Sequence, residues 1–348
     1  MREIRIGKRK IGPQHPTYII AEMSGNHNGD FNKALRIVKA AKEAGADALK
    51  LQTYKADTIT IDCFNEFFQI KGTLWEGRTL YDLYKEAYTP WEWQPRLKEV
   101  ADRLKLDLFS SPFDPTAVDF LDGMGVPAYK VASFELVDIP LLKKIARTGK
   151  PVIMSTGMAT LGEVGEAVNG LREAGNRELA LLKCTSAYPA PFGEMNLRTI
   201  PHLAEAFDVV AGLSDHSLGI EVAVGAVAIG ARIIEKHFTL SRKDPGPDSP
   251  FSMEPAEFKQ MVDAIRNVEK ALGTISYDVT EREKSSRVFR RSLFVVRDVG
   301  VGEKLTEQNV KSIRPGFGLH TRHLGEVIGR RARKNIPKGT PLTWDLLD

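Results

Sequence analysis

The sequence has few of the residues that define a disulfide scaffold or a membrane protein. Its 348 residues include only two cysteines, Cys63 and Cys184, too few for a disulfide framework or a cysteine-rich zinc site. No uninterrupted apolar run approaches the roughly 18 residues of a membrane helix, and the first residues alternate charged and apolar types, unlike a signal peptide. We therefore expect a cytoplasmic protein without a membrane anchor.

Most of the chain also lacks an excess of either positively or negatively charged residues. The formal net charge is +4, and 42% of the residues are apolar, which is typical of a globular protein. Residues 291–348 alone are basic, with eleven Lys or Arg against six Asp or Glu. They lack helix-turn-helix or zinc spacing and the aromatic and basic interleaving of an RNA platform. A small anionic ligand fits better than nucleic acid, although a polysaccharide- or nucleic-acid-binding module stays as an alternative.

Residues 1–272 contain eight short apolar runs, and a helical pattern separates each run from the next. Continuous apolar runs are typical of buried parallel strands, and eight strand–helix units in this length predict a TIM (β/α)8 barrel, with a doubly wound sheet as the alternative. Residues 3–12 predict a hairpin that closes the bottom of the barrel. The eight predicted strands are 17–23, 48–54, 107–113, 128–133, 151–156, 179–186, 209–215 and 233–239.

One connection of the predicted barrel is far longer than usual. The insertion at residues 55–90 and the turn after it hold nine of the chain's 28 aromatic residues, whereas most strand-to-helix loops have two to six residues. Most of these rings are expected to pack within the insertion, with Leu80, Tyr84 and Tyr88 on one face of a short helix. Because the insertion follows a strand, it also predicts a lid over the catalytic face of the barrel.

The end of the chain predicts a second, mostly β domain at residues 291–348, joined by a polar linker at 273–290. Residues 298–310 align with residues 335–347 at an offset of 37, which matches Val299 with Ile336 and Gly302 with Gly339. The repeat predicts two halves related by a pseudo-twofold axis.

Polar residues follow almost every predicted strand, and in a TIM barrel the carboxyl ends of the strands converge on one mouth. A protein core rarely buries so many polar groups without use, although any one of them alone could be a turn or capping residue. In chain order they are Glu22, Lys50, Gln52, Ser110, Ser111, Lys130, Ser133, Glu135, Ser155, Thr156, Thr185, Ser186, Tyr188, Ser214, His216 and His237.

Two histidines and two lysines indicate the chemistry of this mouth. His216 and His237 end neighbouring strands, and barrel closure brings Glu22 beside them, which predicts a site for Mn²⁺ or a similar divalent ion such as Mg²⁺ or Co²⁺. Lys50 and Lys130, with the hydroxyl groups, suit a phosphate and a carboxylate on one small ligand. Lysine is also the residue of Schiff-base aldolases, so that class remains a competitor.

Nine segments carry motifs that resemble those of the sialic acid synthase family, and IRPGFGL (313–319) with the tail resembles its antifreeze-like (SAF) domain. Within the family, EMSGNH, the insertion and RPGFGLH are most similar to the branch that makes pseudaminic acid. The nine segments are AEMSGNHNGD (21–30), ADALKLQTY (46–54), SSPFD (110–114), YKVASFE (129–135), STGMAT (155–160), KCTSAYPAP (183–191), GLSDHS (212–217), IEKHFT (234–239) and GPDSPFSM (246–253).

The resemblance implies a transferase that condenses phosphoenolpyruvate with an open-chain 2,4-diacetamido-2,4,6-trideoxy-altrose, giving a nine-carbon 2-keto acid and phosphate. Sialic and legionaminic acid synthesis are the alternatives within the family. The resemblance further implies a homodimer in which Arg314 from the partner's tail reaches the sugar.

The resemblance also assigns roles to individual residues. Glu22, Lys50 and Lys130 are the expected catalytic residues, and His216 and His237 the metal ligands. Gln52, Glu135 and Asp248 are expected near the sugar, with Arg314. The residues expected to hold phosphoenolpyruvate are Lys50, Ser111, Lys130, Ser133, Ser155, Ser186, Tyr188 and Ser214.

Overall fold

A computed structural model describes residues 3–72 and 75–348. These residues divide into two compact units, a first unit that ends at Gly273 and a second unit that runs from Thr274 to Asp348. Each unit has its own apolar core.

The first unit is a closed barrel of eight parallel strands, preceded by an antiparallel hairpin. The hairpin strands are β1 (Ile4–Ile6) and β2 (Arg9–Ile11). The barrel strands are β3 (Tyr18–Glu22), β4 (Ala48–Thr53), β5 (Asp107–Pro112), β6 (Tyr129–Val131), β7 (Val152–Ser155), β8 (Leu179–Cys184), β9 (Val210–Asp215) and β10 (Ile233–His237).

Helices follow the strands in the order that the sequence predicts. Those of the first unit are α1 (Phe31–Glu43), α2 (Ala56–Ile59), α3 (Leu80–Ala87), α4 (Gln94–Arg103), α5 (Pro115–Gly123), α6 (Ile139–Ala146), α7 (Leu161–Glu173), α8 (Thr199–Phe207), α9 (Glu221–Ala228) and α10 (Pro255–Leu272). Within the described residues, no helix combines the length and the apolar content needed to cross a membrane.

Local sequence sets the boundaries of these helices. Asp30 caps α1 by accepting a hydrogen bond from the backbone N–H of Asn32, and Gly45 leaves the helix with a φ of +91° that favours glycine. Thr160 and Glu163 form a reciprocal capping box at the start of α7. Polar caps and a terminal glycine therefore fix where the chain changes from helix to strand.

Closure of the barrel places the first and last strands side by side. The register of β10 on β3 runs from Ile233 opposite Tyr18 to His237 opposite Glu22. All five residues of both strands are buried, which explains their continuous apolar composition. The structure confirms the predicted TIM barrel, and the doubly wound alternative is wrong.

The predicted lid spans residues 55–90, of which Thr73 and Leu74 lie outside the described residues. Its described part contains α2, a 3₁₀ turn at Glu66–Phe68 and α3. Tyr84 packs edge-on against Tyr54 with ring centroids 5.6 Å apart, as expected for a packed insertion. Phe64 and Phe67, in contrast, are 74% and 81% exposed.

The second unit contains a two-stranded sheet, β11 (Ser292–Val295) with β12 (Val310–Ile313), and the short helices α11 (Glu281–Lys284) and α12 (Leu324–Val327). The backbone hydrogen bonds of its repeat follow a twofold pattern. Val299 and Ile336 are equivalent positions, and each donates a backbone hydrogen bond to the other. The bond from Gly302 to Ala332 likewise has its equivalent in that from Gly339 to Val295. The backbone confirms the predicted pseudo-twofold relation.

Candidate active site

Two buried lysines occupy the centre of the barrel at the carboxyl ends of its strands. Lys50 on β4 pairs with Glu22 on β3, with 2.5 Å between Nζ and Oε2, and its Nζ lies 3.4 Å from the Ser111 hydroxyl. Lys130 on β6 donates a 2.7 Å hydrogen bond to the hydroxyl of Ser155 on β7. Five residues that are separated along the chain by up to 133 positions thus form two polar groups at the barrel mouth.

A second carboxylate, Glu235 on β10, joins the two lysines, and it is not among the site residues predicted from the sequence. Its Oε1 lies 3.7 Å from Nζ of Lys50 and 3.5 Å from Nζ of Lys130, and it accepts a 3.3 Å hydrogen bond from Ser214. Its place at the site could have been predicted, because Glu235 is two residues before His237 and alternate residues of a strand point to the same face.

The two carboxylates of this cluster have opposite pKa shifts. Burial raises the pKa of Glu22 to about 7, and the Lys50 ammonium opposes that increase only in part. Burial also acts to raise the pKa of Glu235, but Lys130, Lys50 and His216 outweigh it and lower the pKa overall. Glu22 can therefore exchange a proton near neutral pH while Glu235 stays ionised, a division of roles that suits acid–base catalysis.

The imidazoles of His216 and His237 lie beside this cluster, with ring centroids 5.3 Å apart. His216 Nδ1 is 3.1 Å from the carbonyl oxygen of Thr185, which can only accept, so Nδ1 carries the proton and Nε2 is left as a possible ligand atom. His237 Nδ1 is buried without a hydrogen-bond partner, and burial lowers the pKa of this imidazole well below its usual value. A neutral imidazole with an unpartnered nitrogen fits a divalent cation.

One observation on His216 opposes its neutral form. Burial lowers the pKa of His216, but the Cys184 sulfur, 3.9 Å from Nδ1, acts together with the Thr185 carbonyl oxygen and Asp215 to outweigh burial and raise it. A cation at Nε2 would have to displace that extra proton. Within residues 3–72 and 75–348, no group of three or more His, Cys, Asp or Glu side chains converges in a metal-binding arrangement, so these two imidazoles leave the remaining coordination positions to other ligands.

Aromatic side chains cover the two imidazoles. Tyr188 stacks on His216 with ring centroids 4.3 Å apart, and Phe251 lies 5.0 Å from His237. Trp75 of the insertion lies 5.7 Å from the Tyr188 ring and donates a hydrogen bond from its indole N–H to the carbonyl oxygen of Pro247. The insertion therefore reaches the site through Trp75, which contacts the tyrosine that stacks on His216.

Two of the residues predicted near the sugar are connected by a third that the sequence analysis did not single out. Gln52 Nε2 donates a 3.0 Å hydrogen bond to the hydroxyl of Ser24, and that hydroxyl donates to the carboxylate of Asp248. In the sequence Ser24 is marked only by its position two residues after Glu22 and its place in the EMSGNH motif. Its side-chain contacts cross three segments of the chain, which no local pattern reveals.

The remaining predicted residues lie around this centre or outside it. Ser133 accepts a 3.1 Å hydrogen bond from the backbone of Gly157, and the Ser186 hydroxyl is 3.8 Å from the Cys184 sulfur. Glu135 lies in the 3₁₀ turn Ser133–Val137 after β6, where burial raises its pKa to about 7. Arg314 belongs to the second unit, so its contact with the sugar stays a prediction.

A closed (β/α)8 barrel that gathers lysines, hydroxyl groups, a titratable carboxyl group and paired imidazoles at one mouth has the architecture and the side chains of a barrel enzyme. Comparison with known proteins is more specific. The chain belongs to the NeuB family, whose profile matches residues 37–277, and an SAF domain profile matches residues 290–348. Both matches confirm the resemblance that the motifs indicate.

Individual relatives cover almost the entire chain. A pseudaminic acid synthase of Campylobacter jejuni is 47% identical over 325 residues, which are 93% of this chain and 95% of that protein. An N,N'-diacetyllegionaminic acid synthase of Legionella pneumophila is 37% identical over 347 residues, 98% of each chain. The crystal structure of the spore coat polysaccharide biosynthesis protein SpsE of Bacillus subtilis is 34% identical with a TM-score of 0.69, covering 100% of this chain and 99% of that chain.

Proposed function

We propose that this chain is a transferase that condenses phosphoenolpyruvate with 2,4-diacetamido-2,4,6-trideoxy-altrose to give pseudaminic acid and phosphate. The observation that carries the proposal is the cluster in which Lys50 and Lys130, flanked by the hydroxyls of Ser111 and Ser155, lie beside His216 and His237. The altrose derivative is supported by the relatives, since identity is 47% to a pseudaminic acid synthase and 37% to a legionaminic acid synthase.

The lysines and hydroxyls fit the anionic groups of phosphoenolpyruvate. Ammonium groups and hydroxyl donors in a buried site bind phosphate and carboxylate oxygens more strongly than they would in water. Each lysine is paired with a carboxylate of the protein, Lys50 with Glu22 and Lys130 with Glu235. The proton that Glu22 accepts during the reaction would release Lys50 for the departing phosphate and reduce the repulsion between Glu22 and that phosphate.

The proposed reaction forms one C–C bond and breaks one C–O bond. The enol carbon of phosphoenolpyruvate attacks the aldehyde carbon of the sugar, and a water molecule adds to C2. The bond from C2 to the bridging oxygen then breaks, phosphate leaves with that oxygen, and C2 becomes the ketone. Lys50 and Lys130 stabilise the departing phosphate. Glu22 accepts one proton from the water and passes it to the former aldehyde oxygen, which becomes a hydroxyl, and the second water proton leaves with the phosphate.

His216 and His237 would hold the divalent ion, for which Mn²⁺ is proposed, with Mg²⁺ and Co²⁺ as alternatives. When bound, such an ion supplies Lewis-acid polarisation of the sugar's carbonyl group. The remaining assignments follow the motifs: Ser133, Ser186, Tyr188 and Ser214 toward phosphoenolpyruvate, and Gln52, Glu135 and Asp248 toward the sugar. A cytoplasmic location and a homodimer with exchanged C-terminal domains, in which Arg314 reaches the partner's sugar, complete the proposal.

The test is phosphate release from phosphoenolpyruvate with Mn²⁺ across a panel of amino sugars that differ in configuration. Phosphoenolpyruvate labelled with ¹⁸O at the bridging position is expected to give labelled phosphate. Label retained in the keto acid would overturn the proposed C–O cleavage. Fastest turnover with another configuration would overturn the altrose assignment alone.

The same assay separates a Schiff-base aldolase from this proposal. Burial lowers the pKa of Lys130, the property that favours a nucleophilic amine, whereas Glu22 and Glu235 raise the pKa of Lys50 against the effect of burial. A Schiff-base enzyme would survive EDTA and be inactivated by borohydride with its carbonyl substrate. We expect loss of activity with EDTA and no borohydride trapping. A chain that binds polysaccharide or nucleic acid without releasing phosphate would instead support a binding module.

A further inference from the structure

Ser24 has a backbone conformation that is unfavourable for a serine. It is a buried residue in the turn that follows β3, and its φ is +46°, in the left-handed region where glycine is free of steric strain. A buried non-glycine residue in this region persists only where the surrounding structure compensates for the strain. At such a position the side chain is expected to contribute something that glycine cannot.

The hydroxyl of Ser24 is that contribution. It has a single proton, which it donates to Oδ2 of Asp248, and a lone pair that accepts the hydrogen bond from Nε2 of Gln52. Gln52 lies on β4 and Asp248 in the segment between β10 and α10. The backbone N–H of Ser24 also donates to Oε1 of Glu22, at 2.9 Å. One side chain thus orients groups from two further segments of the barrel mouth.

This arrangement fixes which atoms of Gln52 are available to a ligand. Its Nε2 is used by Ser24, and within residues 3–72 and 75–348 its Oε1 accepts no hydrogen bond. Gln52 is partly exposed, whereas Asp248 is almost fully buried. Burial raises the pKa of Asp248 although Ser24 and the backbone of Gly25 donate to its carboxylate.

The segment that carries Asp248 is also the one to which the insertion is attached. Trp75 donates to the carbonyl oxygen of Pro247, the residue before Asp248, and the Asp248 carbonyl accepts a 2.7 Å hydrogen bond from Ser252. Asp248 is therefore held from its backbone on one side and from Ser24 on the other. A rotation of its carboxylate would break the bond to Ser24 without disturbing the barrel strands.

We propose that Ser24 is a positioning residue that determines sugar specificity, by holding Gln52 and Asp248 as a matched pair of hydrogen-bond acceptors for hydroxyl or acetamido N–H groups of the sugar. This inference rests on the proposed function and deepens it. Among the described residues, the Ser24 hydroxyl makes no hydrogen bond to Lys50, Lys130 or the imidazoles, and the backbone bond to Glu22 does not need the side chain, so loss of the hydroxyl acts on the sugar half of the site.

The experiment compares Ser24→Gly and Ser24→Ala with the wild type by measuring KM for the sugar and for phosphoenolpyruvate separately. Both variants lose the hydroxyl, but only glycine relieves the backbone strain. We expect KM for the sugar to rise roughly tenfold or more in both, while KM for phosphoenolpyruvate changes less than about twofold. The thermal midpoint should be higher in Ser24→Gly than in Ser24→Ala.

A matched control is Lys105→Gly, which relieves a similar left-handed φ of +55° at the start of the segment leading into β5, at the opposite end of the barrel. It should leave both KM values unchanged. Sugar KM unchanged in Ser24→Gly, or a parallel rise in both KM values, overturns the inference while the proposed function stands. If the wild-type enzyme releases no phosphate with any sugar of the panel, the proposed function is overturned, and the inference is overturned with it.

Discussion

Lys236 and Asp215 form a buried ion pair between the last two strands of the barrel, with 2.7 Å between Nζ and Oδ2. Each residue directly precedes one of the paired imidazoles, since His216 follows Asp215 and His237 follows Lys236. Lys236 also donates to the carbonyl oxygen of Ser217, at 2.7 Å. Because alternate residues of a strand point to opposite faces, the ion pair fixes the two strand ends from outside while the imidazoles face inward.

Removal of one partner of this pair should destabilise the protein strongly. Lys236→Met leaves the Asp215 carboxylate buried without its cation, and the expected loss is about 3–5 kcal/mol in the free energy of unfolding, measured with urea. The double variant Lys236→Met/Asp215→Leu should recover most of it. The control is Lys259→Met, which removes an exposed pair with Asp263 and should cost less than about 1 kcal/mol. Equal losses in the two single variants would refute the prediction.

Substitution of either imidazole should abolish metal binding without unfolding the chain. For His216→Ala and His237→Ala we expect loss of bound Mn²⁺ in equilibrium dialysis and a fall in turnover of at least about 100-fold, because each variant removes one of the two proposed protein ligands. His202→Ala, at an exposed position on α8, is the matched control and should keep both properties. Full metal content in either active-site variant would remove the assignment of these ligands.

Glu135 should make stability depend on pH in a defined direction. Burial raises its pKa from 4.5 to about 7, so between these values the folded protein holds a proton that the unfolded chain has released. This carboxyl group therefore costs stability as pH rises from about 4.5 to 7, and the cost is constant above that range.

The test of this dependence is Glu135→Gln, which cannot ionise. The stability of the variant relative to the wild type should increase from pH 5 to pH 7 and then level off in urea unfolding at each pH. Glu163→Gln is the control on α7, because the Thr160 backbone and hydroxyl lower the pKa of Glu163 instead. A difference between Glu135→Gln and the wild type that stays constant from pH 5 to pH 8 would contradict the assignment.

Complementation between two inactive variants tests the exchanged dimer. Arg314→Ala lacks the residue proposed to reach the sugar and His237→Ala lacks a proposed metal ligand, so each alone should have little activity. If Arg314 acts on the partner's barrel, a refolded mixture contains dimers with one intact site and should regain about a quarter of wild-type activity. If a mixture whose chains have demonstrably exchanged gains no activity, the proposed arrangement is contradicted.

Deletion of residues 285–348, which removes Arg314 from every chain, should raise KM for the sugar steeply.

Most of the barrel could be predicted because its signals are local. Each buried parallel strand has its own apolar run, such as residues 48–54, and each helix has its own caps, such as Asp30 and Gly45. The carboxyl ends of parallel strands must meet at one mouth, so Lys50 and Lys130 could be placed together without knowledge of the register. The resemblance of the motifs then added roles to these positions.

The sequence by itself determined the strand order, the two units and the chemical types of the side chains at the mouth, because periodicity, caps and strand ends are properties of neighbouring residues. Tertiary structure alone decided which of those side chains touch. Barrel closure sets His237 opposite Glu22, brings Glu235 between two lysines, and joins Ser24 to Asp248 across 224 positions of the chain. Such contacts depend on the register between distant strands, which is fixed by the packing of the whole barrel rather than by any one segment.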